Sequence, residues 1–123
     1  MSKRILIVED ERDVATLLHH YLESKNYEVD EVYSGAEAMK RVFGGQYDLV
    51  LLDYAIRDIR GDRVCQLMRA DKKMEKLPII IVTGHIEVDD HIFKQYGATD
   101  VIYKPVDSDE LYKKIEQHLG KSQ

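Results

Sequence analysis

Four short runs of apolar residues, Ile5–Val8, Leu49–Leu52, Ile79–Val82 and Val101–Tyr103, are continuous rather than alternating. A strand with one wet face alternates apolar and polar residues. A continuous run of strand length reads as a strand buried on both faces. Tyr27–Tyr33 alternates more and carries more charge, which suits an edge strand. Helical spacing fills the intervals. Val14, Leu17, Leu18, Tyr21 and Leu22 share one helical face, and Ser34-Gly35-Ala36-Glu37 has the form of a capping box. Val64, Leu67 and Met68 mark a third helix, and Ile92, Phe93 and Tyr96 a fourth. Leu111, Ile115 and Leu119 mark a fifth, with Asp107 and Glu110 spaced as its cap. Pro78 and Pro105 fall at strand boundaries, where they cost little.

Strands alternating with helices imply an α/β fold, a doubly wound parallel sheet of (βα)5 form with helices on both faces. Right-handed crossovers leave few arrangements, and the common five-stranded one is the flavodoxin-like order 2-1-3-4-5. The 123 residues suit one domain over 1–123 with its core in 3–119. The tail Gly120-Lys121-Ser122-Gln123 reads as a frayed end, with no output module expected after it unless the chain is a fragment. A formal net charge of −5 argues against direct nucleic-acid binding. The lone Cys65 excludes an internal disulfide and fits a reducing compartment. The apolar start is too short for a signal peptide or a membrane span, so the expected location is cytoplasmic.

In the order 2-1-3-4-5 the first and third strands meet at the topological switch point, where ligands bind beyond the carboxyl ends. Glu9-Asp10-Glu11 ends the first strand and Asp53 the third, while Thr83-Gly84 and Lys104-Pro105 end the fourth and fifth. Three crowded carboxylates, Glu9, Asp10 and Asp53, need a proton or a cation between them. A hard divalent ion, Mg2+ (or Mn2+), suits oxygen ligands of this kind. A carboxylate nucleophile, a hydroxyl and an ammonium complete what phosphoryl transfer requires, which is mainly positioning and charge neutralisation. One Asp after a strand is ordinarily a turn residue. Matching polar residues at all these strand ends on one edge are not.

These residues resemble the receiver domain of bacterial two-component response regulators over residues 3–119. The motifs are Ile5-Leu6-Ile7-Val8-Glu9-Asp10-Glu11, Tyr47-Asp48-Leu49-Val50-Leu51-Leu52-Asp53, Ile80-Ile81-Val82-Thr83-Gly84, Gly97-Ala98 and Lys104-Pro105. The resemblance implies that Asp53 accepts a phosphoryl group from a histidine kinase or histidine phosphotransfer protein. It implies that Asp10 ligates the metal directly, that Glu9 does so mainly through water, and that the backbone carbonyl of Ala55 is the remaining ligand. Thr83 is expected to turn toward the phosphoryl group, Lys104 to pair with it, and Lys104–Pro105 to be cis. The output surface is expected on the fourth helix, fifth strand and fifth helix, with Asp89, Lys94, Gln95 and Tyr112 as candidates; its downstream partner is not legible, and a homodimer is compatible with it.

The chain departs from the family pattern in three places. Arg57 and Arg60 stand where a Pro and the Asp of an Asp-Gly are usual, with Arg63 close behind; solvated arginines are the first reading and a contact with a phosphodonor or partner the second. Val101 replaces the usual switch aromatic, with Tyr103 two residues on and on the same sheet face. Ala55 and His85 flank the expected path of a hydrolytic water. A phosphorylation-independent interaction domain is the alternative function. An aspartyl-phosphate phosphatase fits poorly, because Ala55 stands where its general acid belongs. The histidines show no zinc spacing, and His19-His20 is expected at the surface.

Overall fold

Every carboxyl end of the sheet points to one edge, because all its strands run parallel. The computed structural model describes residues 2–85 and 89–120. Residues 121–123 of the expected frayed tail lie outside the described residues. The strands are β1 (Arg4–Val8), β2 (Glu28–Val32), β3 (Leu49–Asp53), β4 (Ile79–Thr83) and β5 (Asp100–Tyr103). The helices are α1 (Arg12–Ser24), α2 (Gly35–Gly44), α3 (Gly61–Arg69), α4 (Asp90–Gln95) and α5 (Ser108–Leu119), with a 3-10 turn at Lys72–Met74. The order β2-β1-β3-β4-β5 is the expected one, and β1 and β3 are neighbours. Every residue of β3 and β4 is buried, as their continuous apolar runs require, while β2 is the half-exposed edge.

Side-chain alternation divides the core in two. Leu6, Val8, Val50, Leu52, Ile79 and Ile81 face α2, α3 and α4. Ile5, Ile7, Leu49, Leu51, Ile80 and Ile102 face α1 and α5. Caps hold the helix starts in place. Ser34 accepts from the Glu37 amide at 3.1 Å, and Asp107 accepts from the Asp109 and Glu110 amides. A second acceptor at α2 comes from the β3–α3 loop: Asp58 takes the Gly35 and Ala36 amides at 2.9 and 3.1 Å. Burial would raise its carboxyl pKa, but these amide bonds outweigh that and lower it.

Three expectations about helix faces are corrected. Leu17 is 73% exposed although its spacing places it with the other apolar residues of α1. Ala15 and Leu22, seven residues apart and so on one side, seat α1 on the sheet. Leu17 lies about 200° around the helix from Ala15 and turns outward. On α4 only Phe93 is buried, whereas Ile92 and Tyr96 are 43% and 37% exposed. A helix this short covers the sheet with one anchor. Tyr112 does not lie with α4; it packs with Tyr27 and under the Lys25 ammonium, on the α1 side.

Candidate functional site

The sheet edge gathers the polar strand ends into one pocket. Glu9 and Asp53 are 3% and 5% exposed despite their charge. One carboxylate oxygen each from Glu9, Asp10 and Asp53 lies within 4.8 Å of the others. Lys104 enters from the end of β5 with its Nζ 3.0 Å from Asp53 Oδ1 and 3.5 Å from Glu9 Oε1. Burial works against the Lys104 charge, but the hydrogen bond and the charge of Asp53, together with Glu9, outweigh it and raise the pKa. Glu9 is pushed up chiefly by burial; the Glu11 amide opposes this, Asp53 adds to it and Lys104 offsets it. A buried carboxylate held against its own desolvation, among other carboxylates, is the donor set a hard cation takes.

Each residue is positioned by backbone bonds of the sheet or of its loop. The Tyr54 amide donates to the Val82 carbonyl at 2.9 Å, and the Lys104 amide to the Thr83 carbonyl at 2.8 Å. The Thr83 hydroxyl, 1% exposed with its residue, accepts from the His85 amide at 2.9 Å. Its own O–H remains available to donate. Lys104–Pro105 is cis. Gly61 closes the loop after Asp53 with its amide on the Tyr54 carbonyl at 2.8 Å. A Cβ at Gly61 would stand 2.5 Å from the Asp53 carbonyl oxygen, so this approach requires glycine.

Glu9, Asp10, Asp53, Thr83 and Lys104 therefore converge at one edge. Ala55 is exposed on the loop immediately beyond Asp53 and Tyr54. Val101 is 2% exposed and belongs to the core on the α4 side, with Tyr103 packed against the same cluster, as period-two alternation requires. The ring contacts beside Asp53 are made by other residues. Tyr54 packs edge-on against Phe93 at 5.2 Å and against His85 at 5.0 Å between ring centroids. Nothing in linear spacing pairs Tyr54 with Phe93. Pro105 is exposed at the rim.

His20 is exposed as expected and the loop arginines are largely solvated, but Arg57, Arg60 and His19 each meet carboxylates. Arg57 turns toward Asp10, with its backbone amide 3.1 Å and its Nε 3.5 Å from Asp10 Oδ2. Arg60 pairs with Asp62 at 3.1 Å. His19, expected at the surface, sits between Glu31 at 2.7 Å and Glu23 at 3.2 Å. Its exposure is reduced because α1 lies along β2, which brings Glu31 over the ring. Beside the pocket a groove of about 610 Å3 runs between α1 and the start of α5. Glu9, Asp53 and Lys104 line one end of it, and Leu17, Tyr21 and Val106 line its apolar length.

Residues 5–116 match the family model of the response regulator receiver domain. The chain belongs to this family. It is 38% identical over 117 residues to response regulator ArlR of Staphylococcus saprophyticus, covering 94% of this chain and 52% of that protein. It thus spans about half the length of the curated relatives it matches. Among solved structures, a response regulator of Chloroflexus aurantiacus superposes with a TM-score of 0.91 at 28% identity, covering 98% of this receiver domain and all of that chain. Response regulator TrrA of Thermotoga maritima, solved in complex with Mg(2+)-BeF, superposes with a TM-score of 0.85 at 35% identity over 94% of this chain and 97% of its own. No helix among the described residues is long and apolar enough to cross a membrane.

Proposed function

We propose that this receiver domain accepts a phosphoryl group on Asp53 from a phosphohistidine and passes the signal on as a changed binding surface. The observation that carries the reading is Lys104 Nζ at 3.0 Å from Asp53 Oδ1, in a pocket where Glu9 and Asp10 converge with Asp53. Glu9, Asp10 and Asp53, with the backbone carbonyl of Ala55, would hold Mg2+ or Mn2+. Bound there, the ion supplies positive charge for the phosphoryl oxygens.

The residues of the chain divide the remaining work. A carboxylate oxygen of Asp53 attacks phosphorus in line with the donor nitrogen; the new P–O bond forms as the P–N bond breaks, and the donor imidazole leaves with the electron pair. Lys104 neutralises charge on the transferred group. Thr83 donates its O–H to a phosphoryl oxygen while still accepting from the His85 amide. Phosphorylation then biases two conformers by interacting differently with each. The exposed Asp89, Lys94 and Gln95 of the α4 region are where such a shift would be read. The partner read there and the wider regulator are those of a two-component system, in the cytoplasm.

The groove between α1 and α5 suits the donor. It is apolar along its length and opens on Asp53, so a helical protein surface seated there would present its phosphohistidine to the acceptor. The reading is tested by incubating the chain with acetyl phosphate and Mg2+ and measuring intact mass. One phosphoryl increment is expected on the wild type, lost in EDTA and absent from Asp53→Asn. A wild type without the increment would leave the phosphorylation-independent interaction domain as the function.

A further inference from the structure

Arg57 sits on a loop that is pinned on both sides. Ile56 before it is 4% exposed and packed in the core, and Asp58 after it is fixed by the α2 amides at 2.9 and 3.1 Å. The residue between them cannot drift from the pocket. Its backbone amide and its guanidinium both address the same atom, Asp10 Oδ2, at 3.1 and 3.5 Å. Lys104 reaches Asp53 at 3.0 Å and Glu9 at 3.5 Å. The two cations thus divide the acidic cluster: Lys104 serves the buried carboxylates and Arg57 the rim one.

We infer that Arg57 is a cation of the acceptor pocket that competes with the divalent ion for Asp10 and, once displaced, attracts the anionic phosphodonor. The inference rests on the phospho-acceptor reading above and adds a residue to it. Two physical arguments support it. A guanidinium on Asp10 Oδ2 sets a positive charge beside the carboxylate that would ligate a metal, so metal binding works against the pair. The Arg57 side chain is 87% exposed, so the displaced guanidinium stays solvated at the pocket mouth, where it draws in anions. With acetyl phosphate as donor, Asp53 forms the new P–O bond, the acetyl oxygen–phosphorus bond breaks, and acetate leaves with the electron pair.

The test has one arm that needs no phosphoryl transfer. Mg2+ alone is titrated into wild type, Arg57→Ala and Arg57→Lys, and followed by amide chemical shifts. An exposed, screened pair limits the effect, so Arg57→Ala is expected to bind Mg2+ about two- to five-fold more tightly. Arg57→Lys should stay near wild type, and the difference should shrink in high salt. In the second arm, at saturating Mg2+, Arg57→Ala should take the phosphoryl group from acetyl phosphate more slowly through a raised KM. Unchanged or weaker Mg2+ binding by Arg57→Ala overturns the inference, as does an unchanged KM. A wild type that binds Mg2+ with the expected difference between variants but takes no phosphoryl group instead overturns the acceptor reading and the donor arm with it.

Discussion

Glu9 shows how a candidate functional pocket is held against its own stability. It is nearly sealed from water, and burial, the largest influence on it, raises its pKa above the ordinary 4.5. A raised carboxyl pKa means that the folded state prefers the protonated form. Below the unfolded value both states are protonated and Glu9 costs nothing; as pH rises above it, the ionised side chain destabilises the fold. Replacing Glu9 with Gln should therefore stabilise the metal-free chain by about 0.5–2 kcal/mol near neutrality. The gain should disappear at acidic pH, which urea denaturation at several pH values would reveal. Loss of stability at neutral pH would show that the Lys104 contact outweighs burial. Cys65 is the opposite case. Its thiol is fully buried and pushed up to about 11 by that burial, so it stays protonated and packs in the core.

At the scale of elements, single long side chains join parts that the chain leaves separate. Arg69 at the end of α3 donates to the Gly97 carbonyl at 2.9 Å, the Met74 carbonyl at 2.6 Å and the Thr99 hydroxyl at 3.1 Å. Thr99 in turn accepts from the Ile79 amide at 3.0 Å, so α3, the 3-10 turn, β4 and the approach to β5 meet at one guanidinium. Gly97 has a φ of +107°, and a Cβ there would stand 2.6 Å from Arg69 Cγ. Arg69→Ala should cost about 1–3 kcal/mol, because it removes the guanidinium donor from the part-buried Gly97 carbonyl and one of two donors from the Met74 carbonyl; thermal unfolding would measure it. On α1 the prediction concerns binding. Leu17→Lys places a charge in the apolar groove at a position 73% exposed. Stability should move by less than about 0.5 kcal/mol. Transfer from a phosphohistidine protein that labels the wild type should fall about ten-fold or more, while labelling by acetyl phosphate stays unchanged. Equal loss with both donors would place Leu17 in the fold and not in donor binding.

The whole molecule is a sheet whose two covered faces build the core and whose one edge carries the candidate site. Ligand at that edge binds the folded chain and not the unfolded one, so it should raise the melting temperature with concentration. Mg2+ at about one hundred times its dissociation constant should add about 2.7 kcal/mol. EDTA should reverse the rise, and Asp10→Asn should abolish it; a rise that persists in Asp10→Asn would place the ion elsewhere.

The sequence determined the sheet and the identity of its edge residues. Continuous apolar runs of strand length, spaced by helical stretches, read as doubly covered strands, and parallel strands put every carboxyl end on one side, so Glu9, Asp10, Asp53, Thr83 and Lys104 were legible from their places after the runs. The Asp107 cap was legible for a similar reason, since its partners lie within the next turn. Contacts across the fold were decided by tertiary structure alone. Arg57 on Asp10, Asp58 on α2, His19 between its glutamates, Tyr54 against Phe93 and Arg69 across its partners all join distant positions. The outward turn of Leu17 belongs with these, because spacing gives a helix its apolar stripe but not the rotation at which it docks. Local periodicity reports which residues share a face. Only packing decides what that face meets.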